Sequence, residues 1–376
     1  MKKKTKLIHG GIPQDKQTGG VSFPIHLSST FKQRSVGKFE YEYARTGNPT
    51  RHALEQLIAQ LEEGTDGFAF SSGMAAITTV FKLFSSGDHL LLSEDVYGGT
   101  YRLIVKVLSK EGITADFVDT TDLNKVAAAI RPETKAIFLE TPTNPLLTIT
   151  DIRAVSRLAL DHSLLLIVDN TFSTPYWQNP LTLGANIVIH SATKYLGGHS
   201  DVVAGLAVTN SPELAEQLAF LQNSIGAVLG AQDSWLLIRG IRTLGIRMEE
   251  IEKTTKEIAT FLVDHPSVAR VYYPGLVSHK GHKLHQSQAE GFSGILSFES
   301  GSGERAEEII SSLKYFTLAE SLGAIESLIS IPAKMTHASI PAERRKEIGI
   351  TEGLVRLSIG LEDSSDLLDD LQQALN

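Results

Sequence analysis

Apolar positions are spaced in two different ways along this chain. Over roughly the first 45 residues they show no period, and Gly, Thr, Pro and Ser are frequent. That segment reads as an extended arm with turns. From Pro49 the pattern changes: Leu54, Leu57, Ile58 and Leu61 recur at i, i+3, i+4 and i+7, which is one face of a helix. GFAFSSGMAAITTVFKLF then predicts strand, tight turn and helix. Short, almost wholly apolar runs follow at 89–93 (HLLLS), 136–140 (AIFLE), 164–170 (LLLIVDN) and 186–191 (NIVIHS), separated by helical stretches. Strands that are apolar on both faces and alternate with helices predict an α/β fold with a mostly parallel sheet covered on both sides.

The last third is patterned differently. VARVYY (268–273), GILSFES (294–300) and LVRLSIG (354–360) alternate, so that Val355, Leu357 and Ile359 face one way and Arg356 and Ser358 the other. This predicts a smaller α+β domain with a one-sided sheet, with helices at 304–314 and 364–375. A long helix is expected to join the two parts around 233–264. The division read from these patterns is an arm (1–45), a large sheet domain (46–235) and a small C-terminal domain (236–376).

The totals narrow the function. A chain of 376 residues with 42% hydrophobic and 21% charged residues suits about two globular domains. A net charge of −8 supplies no basic face for nucleic acid or anionic membranes. The absence of cysteine removes disulfides, thiolate metal sites and cysteine nucleophiles. The basic start MKKKTKLIHGG has no apolar run behind it, and no run is long enough to span a bilayer, so a cytoplasmic location is expected. Neither phosphate-loop nor dinucleotide fingerprints occur. His279, His282 and His285 form an H-x-x-H-x-x-H run, but with no nearby carboxylate ligand they read as a solvated loop, and no metal is expected.

Three features carry candidate chemistry. SSGMAA (71–76) places a turn and a helix start after a strand, where free N–H groups favour an anion; an ordinary strand–helix turn is the alternative. Asp169 ends the strand LLLIVD at the carboxyl edge of the sheet, where α/β folds bind ligands, although strand-end aspartates often only cap helices. Lys194 follows the strand IVIHS among Ser191, Thr193, Gly197 and Gly198, which is unusual company for a surface lysine. A phosphate cradle, an anion for a ring nitrogen and a desolvated amine for a Schiff base are together the protein-side requirements of pyridoxal phosphate.

YEYARTGNPTR (41–51), SSGMAA, DVYGGTYR (95–102), ETPTNP (140–145), VDNTF (168–172), HSATKYLGGHSDVVAG (190–205), LAESLGAIESL (318–328), MTHASI (335–340) and VRLSIGLED (355–363) resemble, in order and over essentially the whole chain, the Cys/Met-metabolism enzymes of aminotransferase-like fold type I. The resemblance implies pyridoxal 5'-phosphate (PLP) as cofactor, linked to Lys194, with Asp169 on its ring nitrogen and Tyr97 stacked on the ring. It implies that Gly73, Met74, Ser191 and Thr193 serve the phosphate, with Tyr43 and Arg45 reaching in from a neighbouring subunit of a homo-oligomer, usually a tetramer. Asn144, Ser321 and Arg356 resemble the clamp for a substrate carboxylate, and Arg102 adds positive potential. Gly99 stands where methionine-cleaving members carry cysteine, and Glu320 suits the distal end of cystathionine. Cleavage of the Cγ–S bond of cystathionine is therefore expected, with γ-synthesis or β-cleavage as alternatives. A non-catalytic ligand-binding protein on the same fold is disfavoured, because every expected catalytic residue is present.

Overall fold

The computed structural model describes every residue except Ser339, so that position of the MTHASI motif lies outside the described residues. The helix expected after Pro49 is α2 (Pro49–Leu61). Asn48 caps it by accepting from the N–H groups of Thr50 and Arg51, Pro49 occupies its first turn, and Leu54, Leu57, Ile58 and Leu61 are buried. Before it, α1 (Lys3–His9) departs from the expected extended arm with turns. Only Leu7 of α1 is buried, so a single apolar anchor left no period to read. The rest of the arm carries isolated bridges, Thr30 to Tyr43 and Ser35 to Lys38, and exposes Val21, Leu27, Val36 and Phe39.

The large sheet has seven strands: β1 (Asp66–Phe70), β2 (His89–Ser93), β3 (Thr114–Val118), β4 (Thr134–Glu140), β5 (Leu165–Asp169), β6 (Ile187–Ser191) and β7 (Gly205–Thr209). Their spatial order is β1-β7-β6-β5-β4-β2-β3, with β7 antiparallel to both of its neighbours and the other pairs parallel. Alternate residues of the central strands enter opposite apolar layers. Ile137, Leu139, Leu166, Val168 and Val188 join one, while Phe138, Ile167, Ile187 and Ile189 join the other. That two-sided burial is why these strands read as continuous apolar runs. Two helices follow strand ends on the site side: α3 (Gly73–Phe81) after β1 and α4 (Gly98–Lys106) after β2.

The second sheet has the order β10-β11-β12-β9-β8, with β8 (Arg270–Tyr272), β9 (Ile295–Glu299), β10 (Thr317–Leu318), β11 (Leu328–Ser330) and β12 (Leu354–Ser358). It is not one-sided at β12, where Arg356 and Ser358 are as buried as Leu354, Val355 and Leu357. The polar side of that strand faces a cavity wall. The long helix expected at 233–264 is two helices, Ala231–Ile241 and Leu244–Asp264. At the break the Gly240 carbonyl accepts from the Thr243 hydroxyl (3.1 Å) and the Arg247 guanidinium (2.8 Å). The helix expected at 304–314 spans Gly303–Ser312.

The histidine run is not a solvated loop. His282 and His285 are buried, and helix His282–Gln288 contains both. Each of the three rings bonds a backbone carbonyl: His279 to Leu147 (2.9 Å), His282 to Pro274 (2.7 Å) and His285 to Gly291 (2.9 Å). They tie loops together, a role that triplet spacing does not announce. Among the described residues, no helix is long and apolar enough to cross a membrane.

Candidate active site

The carboxyl ends of β4, β5 and β6 form the floor of a deep cavity, and the start of α3 closes one side. After β6 the chain winds into a tight turn. The Lys194 N–H donates to the Ser191 carbonyl (3.2 Å), and Gly198 N–H donates to the Lys194 carbonyl (2.8 Å). Gly198 sits at φ +74, in the left-handed region, and a Cβ there would lie 2.2 Å from the Arg247 guanidinium. Arg247 in turn donates to the Tyr195 carbonyl (2.8 Å), while Ala192, Tyr195 and Leu196 are buried. The small residues around Lys194 therefore allow a turn wound tightly enough to be clamped from behind, and the lysine leaves it toward the cavity.

Lys194 Nζ donates to Ser321 Oγ at 2.7 Å. Burial, reinforced by the Arg356 charge and opposed by Glu320, lowers its pKa to about 8. Asp169 is held differently. Its Oδ1 accepts from the Thr171 hydroxyl (2.6 Å) and the Thr171 N–H (3.0 Å), and the Thr171 hydroxyl accepts from Ser191 N–H (2.8 Å). Burial raises its pKa, a rise that the Thr171 donors and the His190 charge offset only in part. Glu140, in register with Asp169 on the neighbouring strand, accepts Tyr97 N–H at 3.0 Å.

At the start of α3, Ser72 Oγ accepts from Ala75 N–H (3.0 Å), which leaves the first N–H groups, at Gly73 and Met74, without intrahelical partners. Gly73 allows the helix to approach β6: a Cβ there would lie 2.9 Å from Ser191 Cβ. Free N–H groups beside the Ser191 hydroxyl, at a helix start that tolerates no side chain, fit a phosphate. The Thr193 hydroxyl lines the same cavity but is bonded to Ala204, accepting from its N–H (3.0 Å) and donating to its carbonyl (3.3 Å). An anion-binding cradle, a buried carboxylate and a desolvated amine in one cavity fit PLP.

The opposite wall comes from β12 and the 319–337 segment. Arg356 donates to Asn144 Oδ1 (3.0 Å) and to the Ser321 carbonyl (2.8 Å), and its buried Nε has no partner. Burial lowers its pKa to about 10. Ser321 holds φ +92, a conformation that costs a non-glycine residue energy and is kept only where the surroundings enforce it. His337 Nε2 donates to the Asn144 carbonyl (2.9 Å), so its Nδ1 accepts from the Thr336 hydroxyl (2.8 Å). Its neutral form agrees with a pKa lowered to about 4 by burial.

Of the residues singled out by sequence, Gly73, Met74, Tyr97, Asp169, Ser191, Thr193 and Lys194 all line this cavity, as do Asn144, Glu320, Ser321 and Arg356. Three do not. Arg102 is exposed on α4, though its charge acts on the Tyr97 phenol. Tyr43 and Arg45 are exposed on the arm, with Arg45 stacked on Tyr43 (5.6 Å) and bonded to Asn223 Oδ1 (2.9 Å). Glu140, Thr171 and Thr336 line the cavity, and His337 braces it, without having been singled out. Each sits inside a quoted motif; Glu140 and His337 were hidden because their partners, Tyr97 and Asn144, are distant in sequence.

Residues 4–376 match the family described as Cys/Met metabolism PLP-dependent enzyme. The chain is 62% identical to a cystathionine gamma-lyase of Bacillus subtilis, over 100% of this chain and 99% of that protein. It is 59% identical to a cystathionine beta-lyase of Lactococcus lactis, over 99% and 98% of the two chains. The crystal structure of a cystathionine gamma-lyase from Lactobacillus plantarum complexed with L-serine superposes with a TM-score of 0.98 at 55% identity, covering 100% of this chain and 98% of that one. The chain belongs to the family of PLP-dependent enzymes of cysteine and methionine metabolism.

Proposed function

We propose that this protein is a cystathionine γ-lyase, cleaving the Cγ–S bond of L-cystathionine to L-cysteine, 2-oxobutyrate and ammonia. The observation that carries this reading is the position of Glu320. It lines both the inner cavity and the groove outside it, on the route that a long substrate must occupy. Cystathionine is an amino acid at both ends. One α-carboxylate suits the Arg356 guanidinium, whose fork matches a carboxylate, and the distal ammonium suits Glu320.

Bound PLP supplies the electron sink that acidifies the substrate's Cα and Cβ protons. The N–H groups of Gly73 and Met74, with the Ser191 hydroxyl, hold its phosphate, and Asp169, kept ionised by Thr171, holds its ring nitrogen. Arg356, Asn144 and the Ser321 carbonyl orient the α-carboxylate. Lys194 Nζ is the base for the Cα proton, and only after giving that proton up, so that its lone pair is free again, can it take one from Cβ. Burial raises the pKa of the Tyr97 phenol, so it remains protonated at neutral pH and can give its proton to the departing sulfur. General acid–base help of this kind contributes about 10²–10⁴-fold.

The arm completes the site in a homo-oligomer, probed as a tetramer, in the cytoplasm. Tyr43 and Arg45 lie outside their own cavity and serve a neighbour's phosphate. Hybrids of Lys194→Ala and Arg45→Ala chains should regain activity that neither parent oligomer has. Hybrids no better than either parent refute the shared site.

Product analysis tests the reaction itself. Cysteine with 2-oxobutyrate is the expected pair. Homocysteine with pyruvate would identify the β-lyase, the reading favoured by the name of the Lactococcus relative. Cystathionine formed from an O-acylhomoserine and cysteine, without net elimination, would identify a synthase.

A further inference from the structure

Glu140 has no part in the mechanism above, yet it is almost wholly buried and lines the cavity. Its nearest strand neighbour in register is Asp169, so the two carboxyl groups leave adjacent parallel strands on the same face of the sheet. The charged groups that act on Glu140 most strongly are Asp169 on β5 and Asp95 after β2, and both are acidic. The phenol facing it from the start of α4 belongs to Tyr97. Among the described residues, no lysine, arginine or histidine forms an ion pair with it, whereas the other buried glutamates, Glu62 and Glu252, are paired with His190 and Lys256.

Two carboxylates side by side in a desolvated cavity do not both ionise. The hydrogen bonds decide which one keeps the proton. Asp169 accepts from both the hydroxyl and the N–H of Thr171, an arrangement that favours the anion. Glu140 accepts from backbone N–H groups only, that of Tyr97 through Oε2 and, less strongly, that of Asn144, with no hydroxyl donor. A carboxylic acid can accept that bond through its carbonyl oxygen while its hydroxyl carries the proton. We propose that Glu140 is held as a neutral carboxylic acid beside ionised Asp169, and that in this form it is the positioning residue that fixes Tyr97 over the cavity.

Two consequences follow in the chemistry. The cavity floor carries one negative charge instead of two, so a protonated ring nitrogen has a single partner, Asp169. The backbone at Tyr97, which precedes the first turn of α4, is anchored to the end of β4, 43 positions away in sequence. Burial first, and the Asp169 charge second, push the Glu140 pKa well above its ordinary value, in the direction that the geometry requires. The inference rests on the family's cofactor and holds whichever C–S bond is cut.

The test is infrared spectroscopy of the holoenzyme at pH 8, comparing parent with Glu140→Gln. At that pH Asp95, whose pKa burial raises to about 6, is ionised and contributes no acid band. The parent should show a protonated-carboxyl C=O stretch that Glu140→Gln lacks and Asp95→Asn retains. A parent spectrum without that band, or one that loses it in Asp95→Asn, overturns the proposal. Kinetics supply the second arm. Glu140→Ala should lower kcat by about 10-fold through misplacement of Tyr97, with a smaller change in KM. Glu140→Gln, neutral and still able to accept the Tyr97 N–H, should recover most of that loss. Equal damage from Ala and Gln would show that Glu140 acts as an anion, and would overturn the proposal even if Glu140→Ala folds poorly, provided the Gln variant folds.

Discussion

The two walls of the cavity are built in different ways. The floor and the α3 side come from strand ends locked in register: Asp169 and Glu140 on adjacent strands, Lys194 on a turn clamped by Arg247, Gly73 against Ser191. The opposite wall belongs to the second sheet and its 319–337 loop and is tied to the floor by individual side-chain bonds: Arg356, on β12, and His337 both to Asn144, with Ser321 in a strained conformation. A sheet edge fixes groups to within the rigidity of its ladder, which suits a cofactor that stays. A wall made of side-chain bonds can yield, which suits a substrate that enters and leaves.

The comparison can be broken at either wall. On the floor, Lys194→Ala should abolish turnover and remove the protein-linked absorption band of the cofactor. Turnover at the parent rate would remove the lysine from the chemistry. Next in size, Asp169→Asn should lower kcat by at least ~10²-fold, because a charge-assisted contact in a low-dielectric site is lost. Near-parental rates would reduce Asp169 to a turn former.

The third expectation concerns stability. The Lys194 pKa falls from 10.5 to about 8 on folding, so the folded, cofactor-free protein is penalised wherever the lysine must stay charged. At 1.36 kcal/mol per pH unit the penalty is at most about 3 kcal/mol. It is fully present below pH 8 and fades as pH rises toward 10.5. Cofactor-free Lys194→Met should therefore unfold at higher denaturant than the parent at pH 7, with the gap closing by pH 10.5. A gap that is absent, or that widens with pH, contradicts the desolvated amine. The smallest effect is expected at the yielding wall. Arg356→Lys should raise KM by about 10-fold with a lesser fall in kcat, because an ammonium cannot replace the guanidinium fork. A loss confined to kcat would place Arg356 in the chemistry rather than in binding.

The same contrast explains what was legible in the sequence. HLLLS coincides with β2, and the strands bearing Asp169 and Ser191 were visible because burial on both faces leaves an unbroken apolar run. TADFV, which is β3, was not: it lies at the sheet edge, is only partly buried, and carries Thr and Asp. GLAVT, which is β7, is fully buried but follows the small residues of the lysine turn closely enough to read as part of that loop. In the site, Lys194 and Asp169 stood out by their local company. Glu140 did not, because an acid at a strand end looks solvated until its neighbour in space is known, and that neighbour lies 29 positions along in the register pair Glu140–Asp169. His337 was hidden for a similar reason, since its partner Asn144 is 193 positions away.

Strand β7 sets a timetable for the chain. It lies between β1 and β6, pairing Asp66 with Thr209 on one side and Ile187 with the same Thr209 on the other. The α3 cradle and the lysine turn thus sit on strands that are joined only through the seventh one to be synthesised. A chain lacking residues 205–209 would keep the Asp169 edge but leave β1 without its partner in the sheet, so the cradle would rest on the packing of α3 against β6 alone. Closing so long a loop is slow, and its entropy must be met before any contact repays it. Competence to take up cofactor therefore waits on residues 205–209, which follow Lys194 closely in the chain, so the amine and the strand that brings its phosphate cradle into the sheet are completed almost together.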